Sequence, residues 1–118
     1  IDDEITIVKV GGQILERLGY SVTTSTNGIA ALNLFRSNPS HFDLVITDMT
    51  MPSITGDQLA KELMDIRPDI SIILLTGYSK KITKETAMQI GIKAFAYKPI
   101  VKEELAKTIR KVLDEAKS

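Results

Sequence analysis

The sequence predicts an α/β fold, a parallel sheet with helices on both faces. Three observations carry that expectation. Short β-branched or aliphatic runs alternate along the chain with stretches of helical periodicity. Turn and cap residues fall between the two kinds of segment. The runs Leu44–Ile46 and Ile72–Leu75 are almost continuously apolar, as strands buried on both faces require.

The strand-like runs are Tyr20–Ser25, Asp43–Thr47, Ser71–Leu75 and Ala94–Tyr97. Before the first of them, Ile7, Val10, Ile14, Leu15 and Leu18 recur at the steps of a helix face. This first helix is weakly encoded. Ile5, Thr6, Ile7 and Val8 are mostly β-branched, and Gly11–Gly12 costs about 2 kcal/mol of helix propensity relative to two alanines. A strand over Ile5–Val10 is the local alternative. Thr26, Asn27 and Gly28 supply cap and turn chemistry for a second helix, whose stripe is Ala30, Ala31, Leu34 and Phe35. Pro39 follows it. Pro52 and Gly56 precede a third helix through Leu59, Leu63 and Ile66, closed by Pro68. Gly91 marks the end of a fourth. The last helix has the clearest stripe, Leu105, Ile109, Val112 and Leu113, with Lys and Glu outside. The first strand is almost missing, because Ile1 stands directly before an acidic pair.

The 118 residues fit one domain, 1–118. Lys+Arg and Asp+Glu are 15 each, a balance that argues against a nucleic-acid or membrane-surface binder. With no cysteine, thiol catalysis and Cys-based zinc sites are excluded. The longest apolar run, Ile72–Leu75 with Ile70 nearby, is too short to cross a bilayer. No cationic stretch leads into an apolar one at the N-terminus, so the expected location is cytoplasmic.

In a doubly wound sheet, ligands bind beyond the carboxyl ends of the strands. Asp2 and Asp3 follow the remnant of the first strand, Asp48 ends the second apolar run, Thr76 the third, and Lys98 the fourth. Singly, each residue has an ordinary reading as cap, turn or solvated surface. Together they place three carboxylates, a hydroxyl and an ammonium on one edge. Clustered carboxylates raise one another's pKa unless a cation offsets them. Hard oxygen ligands in an open site favour Mg²⁺, for which Mn²⁺ can substitute. Asp2, Asp3, Asp48 and Lys98 carry a formal charge of −2, which one Mg²⁺ would cancel. Such a site suits phosphoryl transfer, which depends on positioning and charge neutralisation. His41, between Ser40 and Phe42, reads as a solvated loop residue, so a phosphoryl donor would have to be another domain or protein. Gly11–Gly12 lacks the spacing of a phosphate loop, and no nucleotide is expected.

The segments Ile1-Asp2-Asp3-Glu4, Thr47-Asp48-Met49-Thr50-Met51-Pro52, Leu75-Thr76-Gly77 and Tyr97-Lys98-Pro99 resemble, in order and spacing, the four signature motifs of response-regulator receiver domains. Leu18-Gly19-Tyr20, Asn27-Gly28 and Gly56 agree as well, so the resemblance covers essentially the whole chain. It implies a flavodoxin-like, five-stranded sheet in the order 2-1-3-4-5 with five flanking helices, an order known for a chemotaxis member of that family. It implies Asp48 as phosphoacceptor. Asp3, Asp48 and the backbone carbonyl of Thr50 would hold Mg²⁺, with Asp2 acting through water. Thr76 and Lys98 would meet the phosphoryl oxygens, and Phe95 would change rotamer with Thr76. Thr50 and Tyr78 would flank the path of attacking water and set the lifetime of the phosphoform. The Lys98–Pro99 bond would be cis. The partner would be a histidine kinase or phosphotransfer domain, with a homodimer through the last helices and strand also open. Such a domain is no enzyme beyond its own phosphorylation and dephosphorylation. The local wording of the motifs, Thr76-Gly77-Tyr78-Ser79 among them, is similar to receivers of hybrid sensor histidine kinases. A degenerate receiver, a Mg²⁺-dependent aspartyl-phosphate hydrolase and a DNA-binding regulator stand as alternatives. Against the last two, Thr50 replaces the second acid of such hydrolases, no sequence serves as a cap domain, and an output domain would lie outside this chain.

Overall fold

Alternation along two strands sets the layers of this computed structural model, which describes residues 1–77, 90–98 and 100–116. Val45, Ile72 and Leu74 point to one face of the sheet, where Leu32, Phe35, Leu59, Leu63 and Ile92 complete a core. Leu44, Ile46 and Ile73 point to the other, against Ile14, Leu15, Leu105, Ile109 and Val112. Helices therefore cover both faces, the α/β arrangement that the sequence predicts.

In chain order the elements are α1 (Ile5–Arg17), α2 (Gly28–Ser37), β1 (Leu44–Asp48), α3 (Gly56–Ile66), β2 (Ser71–Thr76), β3 (Ala94–Tyr97) and α4 (Lys102–Ala116). The strands pair in parallel in the order β1-β2-β3. The register runs from Leu44↔Ser71 to Asp48↔Leu75, and from Ile73↔Ala94 to Thr76↔Tyr97. Every residue of β2 is buried, as expected for the middle strand of a sheet covered on both sides.

The Tyr20–Ser25 run departs from its predicted strand. It has no ladder, and its recorded link toward the sheet is the Ser25 carbonyl, which accepts the Asp2 amide at 3.2 Å. Beside β1 lies Ile1: its nitrogen donates to the Ile46 carbonyl at 2.7 Å, and its carbonyl accepts from Asp48 N at 2.8 Å. The described sheet thus has three strands where five were expected. Residues 78–89, where the sequence places the fourth helix and Tyr78, lie outside the described residues, as does Pro99.

The first helix does form over Ile5–Arg17, which removes the strand alternative for Ile5–Val10. Packing explains it. Gly12 is buried, and a Cβ there would stand 3.3 Å from Thr24 Cγ2, so the glycine that weakens the helix also lets it lie close to the next segment. The Asn27 side chain caps α2 by accepting from Ala30 N at 3.0 Å. Gln58 reaches back to Thr55 N at 3.3 Å at the start of α3. The Arg67 guanidinium donates to the carbonyls of Pro39 and Phe42 and so fixes the turn that feeds β1. His41 in that turn is exposed, edge-on to Phe42 at 4.9 Å.

Candidate functional site

Parallel strands end at one edge of a sheet, and the polar residues end there with them. Asp48 is the last residue of β1, Thr76 the last of β2, and Lys98 follows β3. Backbone bonds hold the edge in place. Lys98 N donates to Thr76 O at 2.9 Å, and Met49 N to Leu75 O at 3.0 Å. Asp2 and Asp3 are delivered by Ile1, which is bonded to β1 as described.

Carboxylate oxygens of Asp2, Asp3 and Asp48 lie within 4.8 Å of one another. Asp2 and Asp48 are buried at 2% and 4% exposure, whereas Asp3 is exposed. Lys98 Nζ sits 2.9 Å from Asp2 Oδ2 and 2.9 Å from Asp48 Oδ1. The other Asp2 oxygen accepts the Glu4 amide at 2.9 Å, at the entry to α1. Burial pushes the Asp48 carboxyl above its ordinary range; the Lys98 hydrogen bond works against this, and the charges of Asp2 and Asp3 add to it. Burial alone would lower the Lys98 ammonium, but its hydrogen bonds to Asp2 and Asp48 outweigh that and raise it.

The remaining expected residues are placed as follows. Thr76 is buried, and its hydroxyl turns to the Gly77 carbonyl at 3.3 Å. Phe95 pairs in register with Leu74 and stacks on Tyr97 at 6.3 Å. Thr50 is exposed in the loop after β1. Two features were not read from the sequence. One is the direct Asp2–Lys98 pair, because only the fold decides which carboxylate faces the lysine. The other is the close approach of α3: Gly56 N donates to Met49 O at 2.8 Å, and a Cβ on Gly56 would press on the Asp48 carbonyl.

Three hard carboxylate oxygens, one of them on an exposed residue, fit a small divalent cation with room for water ligands. Without such a cation the cluster carries uncompensated negative charge. The pKa shift gives the sign. Asp48 titrates higher in the fold than its ordinary value of 3.8, so the fold favours its neutral form. Its ionisation therefore costs stability: nothing below the unfolded pKa, increasingly as pH rises from that value toward the folded one, and in full above it. With divalent metal chelated, Asp48→Asn is expected to stabilise the chain at pH 7, because the neutral amide escapes the burial of a charge and the repulsion of Asp2 and Asp3. The gain should vanish below about pH 4. Urea melts across that range check it, and a destabilised variant at neutral pH contradicts it.

Comparison with known proteins identifies the family. The family model described as "Response regulator receiver domain" matches residues 1–110. The Arabidopsis thaliana two-component response regulator ARR10 is 32% identical over 117 residues, 99% of this chain and 21% of that protein. The Brucella abortus sensor kinase CckA is 28% identical over 115 residues, 98% of this chain and 12% of that protein. The chain spans less than half the length of the curated relatives it matches. Among solved structures, a response regulator receiver domain protein from Clostridium thermocellum superposes with a TM-score of 0.92 at 32% identity, covering 98% of this chain and 92% of that one. The strand-end cluster and the matched sequence together make this chain a member of the response regulator receiver domain family, the signalling domain of two-component systems.

Proposed function

We propose that the chain accepts a phosphoryl group onto Asp48 from a phosphohistidine of a histidine kinase or phosphotransfer domain. The observation that carries this reading is the Asp48 carboxylate at the end of β1, hydrogen-bonded to Lys98 and flanked by Asp2 and Asp3. An Asp48 oxygen attacks phosphorus in line with the leaving imidazole. The O–P bond forms as the P–N bond breaks, and the imidazole nitrogen keeps that electron pair. Asp3, Asp48 and the Thr50 carbonyl would hold Mg²⁺, with Asp2 contributing through water. The cation offsets the negative charge that gathers on the phosphoryl oxygens.

This chain's own residues do the rest. Asp2 and Asp48 hold Lys98 Nζ at the site before transfer. Phosphorylation adds about −1.5 to −2 of charge, which draws the ammonium to a phosphoryl oxygen. The Thr76 hydroxyl turns from the Gly77 carbonyl to a second oxygen, and Phe95 follows it inward. That local change biases the surface read by partners. Thr50 flanks the path of hydrolytic water; the role assigned to Tyr78 falls on a residue outside those described, as does the cis bond to Pro99. We read residues 1–118 as one receiver domain of the five-stranded, 2-1-3-4-5 type, of which three strands are described. It serves in the cytoplasm, and the likeness to a sensor kinase supports a hybrid kinase as one parent. Among the described residues no helix is long and apolar enough to cross a membrane.

Incubation with a small-molecule phosphodonor and Mg²⁺, followed by intact mass, is expected to add one phosphoryl group per chain. An unchanged mass at saturating donor contradicts the proposal and favours a receiver that works without phosphorylation.

A further inference from the structure

Thr47 places a hydroxyl inside an apolar layer. Strand alternation sends its side chain to the same face of β1 as Val45 and Met49, where Leu59, Leu63, Ile72 and Leu74 belong to one core cluster. Thr47 stands in register with Leu74 and is fully buried, at 0% exposure. A valine has nearly the same shape and would bring no polar atom. A buried hydroxyl costs free energy unless it finds a partner. Here the partner is the Asp48 carbonyl, at 3.2 Å.

That carbonyl belongs to the peptide that joins Asp48 to Met49, and both ends of this peptide are held. The oxygen accepts from Thr47 Oγ1, and the N–H, on Met49, donates to the Leu75 carbonyl at 3.0 Å. Gly56 closes in on the same oxygen, since a Cβ there would press on it. The next carbonyl, that of Met49, accepts from Gly56 N at 2.8 Å. A peptide is planar, so holding both of its ends fixes the ψ angle of Asp48. The direction in which the Asp48 side chain leaves the backbone is fixed with it. The same plane starts the loop that leads to Thr50. Thr47 does not itself face the phosphoryl site, because neighbouring side chains on a strand point to opposite faces.

We infer that Thr47 is a positioning residue for phosphoryl transfer: its hydroxyl holds the Asp48–Met49 peptide, and so aims the Asp48 carboxylate at the incoming phosphorus. The inference rests on the phosphoacceptor reading of Asp48 and deepens it. In-line attack tolerates little error in the angle of the nucleophile, so a small rotation of this peptide is felt in rate before it is felt in stability. The methyl group of Thr47 serves the core and the hydroxyl serves the site. The two can be removed one at a time.

Wild type, Thr47→Val and Thr47→Ser are exposed to a small-molecule phosphodonor in saturating Mg²⁺. Uptake is followed by intact mass, and thermal melts are run alongside. Thr47→Val keeps the shape and loses the hydroxyl. Its Tm is expected to stay within about 3 °C of wild type, while its phosphorylation rate falls about tenfold, a usual cost of losing a group that orients a reacting side chain. Thr47→Ser keeps the hydroxyl and loses a buried methyl. Its Tm is expected to fall by about 4 °C or more, while the rate of its folded fraction stays within about twofold of wild type. Rate and stability thus separate in opposite senses, which a merely structural threonine does not produce. Equal rates for wild type and Thr47→Val overturn the inference and leave Asp48 as acceptor. Slowing of both variants in proportion to their loss of Tm overturns it as well. A wild-type chain that takes up no phosphoryl group overturns the phosphoacceptor reading, and this inference with it.

Discussion

Asp48→Asn is expected to abolish phosphorylation, with labelling at least about 100-fold below wild type. The amide keeps the volume and can still meet Lys98, so β1 and its pairing with β2 should stay intact. What it removes is the oxygen that carries negative charge toward phosphorus, together with one charged ligand for a divalent cation. The two consequences separate by measurement. Intact mass after exposure to phosphodonor and Mg²⁺ reports the nucleophile, and circular dichroism reports the fold. A folded Asn variant that still takes up one phosphoryl group per chain would place the acceptor elsewhere, on Asp2 or Asp3. The same substitution should raise stability in chelator at neutral pH, because the neutral side chain escapes the repulsion of its neighbours. A site arranged for charge chemistry is often one that costs the fold something, and here the cost falls on Asp48.

The second large effect is structural and lies next to the same residue. Gly56→Ala is expected to destabilise the chain by about 2–3 kcal/mol, as forced overpacking does. An alanine Cβ would sit 2.8 Å from Leu74 Cδ1 and 2.9 Å from Met49 Cα, and closer still to the Asp48 carbonyl oxygen. The leucine could rotate away, but the two backbone atoms belong to Asp48, the last residue of β1, and to Met49 just after it, and cannot. Relief requires α3 to withdraw, which opens the apolar face carrying Leu59 and Leu63, both at most 1% exposed. It also lengthens the bond from Gly56 N to Met49 O and moves the loop that holds Thr50. Thermal melts should show a fall of about 10 °C or more. Phosphorylation of the folded fraction should slow as well. A Tm within about 2 °C of wild type, with an unchanged labelling rate, would show that the approach of α3 is not what positions Asp48.

The strongly patterned segments were legible before any coordinates. The α4 stripe places Leu105, Ile109 and Val112 inward, and all three are buried. The apolar run Ile72–Leu75 forms most of the fully buried β2. Periodicity reads these well because their burial is uniform along the element. The first helix was ambiguous for the opposite reason. Its β-branched start and paired glycines oppose a helix locally, and packing of Gly12 against Thr24 decides the matter from outside the segment. Tyr20–Ser25 has strand composition without a strand ladder among the described residues; its backbone link toward the sheet is the bond from Asp2 N to Ser25 O. At the site, the residue types and their places at strand ends were readable, and the geometry brings Asp2, Asp3, Asp48 and Lys98 together. The partnership of Lys98 with Asp2 was not, because it depends on how the turn before α1 aims one carboxylate inward and leaves the next exposed.

The most direct test of the phosphoacceptor assignment follows label from a phosphohistidine donor to this chain and locates it. A phosphorylated histidine phosphotransfer domain is mixed with the chain in Mg²⁺ and, in parallel, in excess chelator. The acyl phosphate is then trapped by borohydride reduction, and the modified residue is identified in the digest. The expected result is modification at Asp48 in Mg²⁺ and little or none in chelator. Modification at another residue, or equal transfer with the metal removed, would contradict the account.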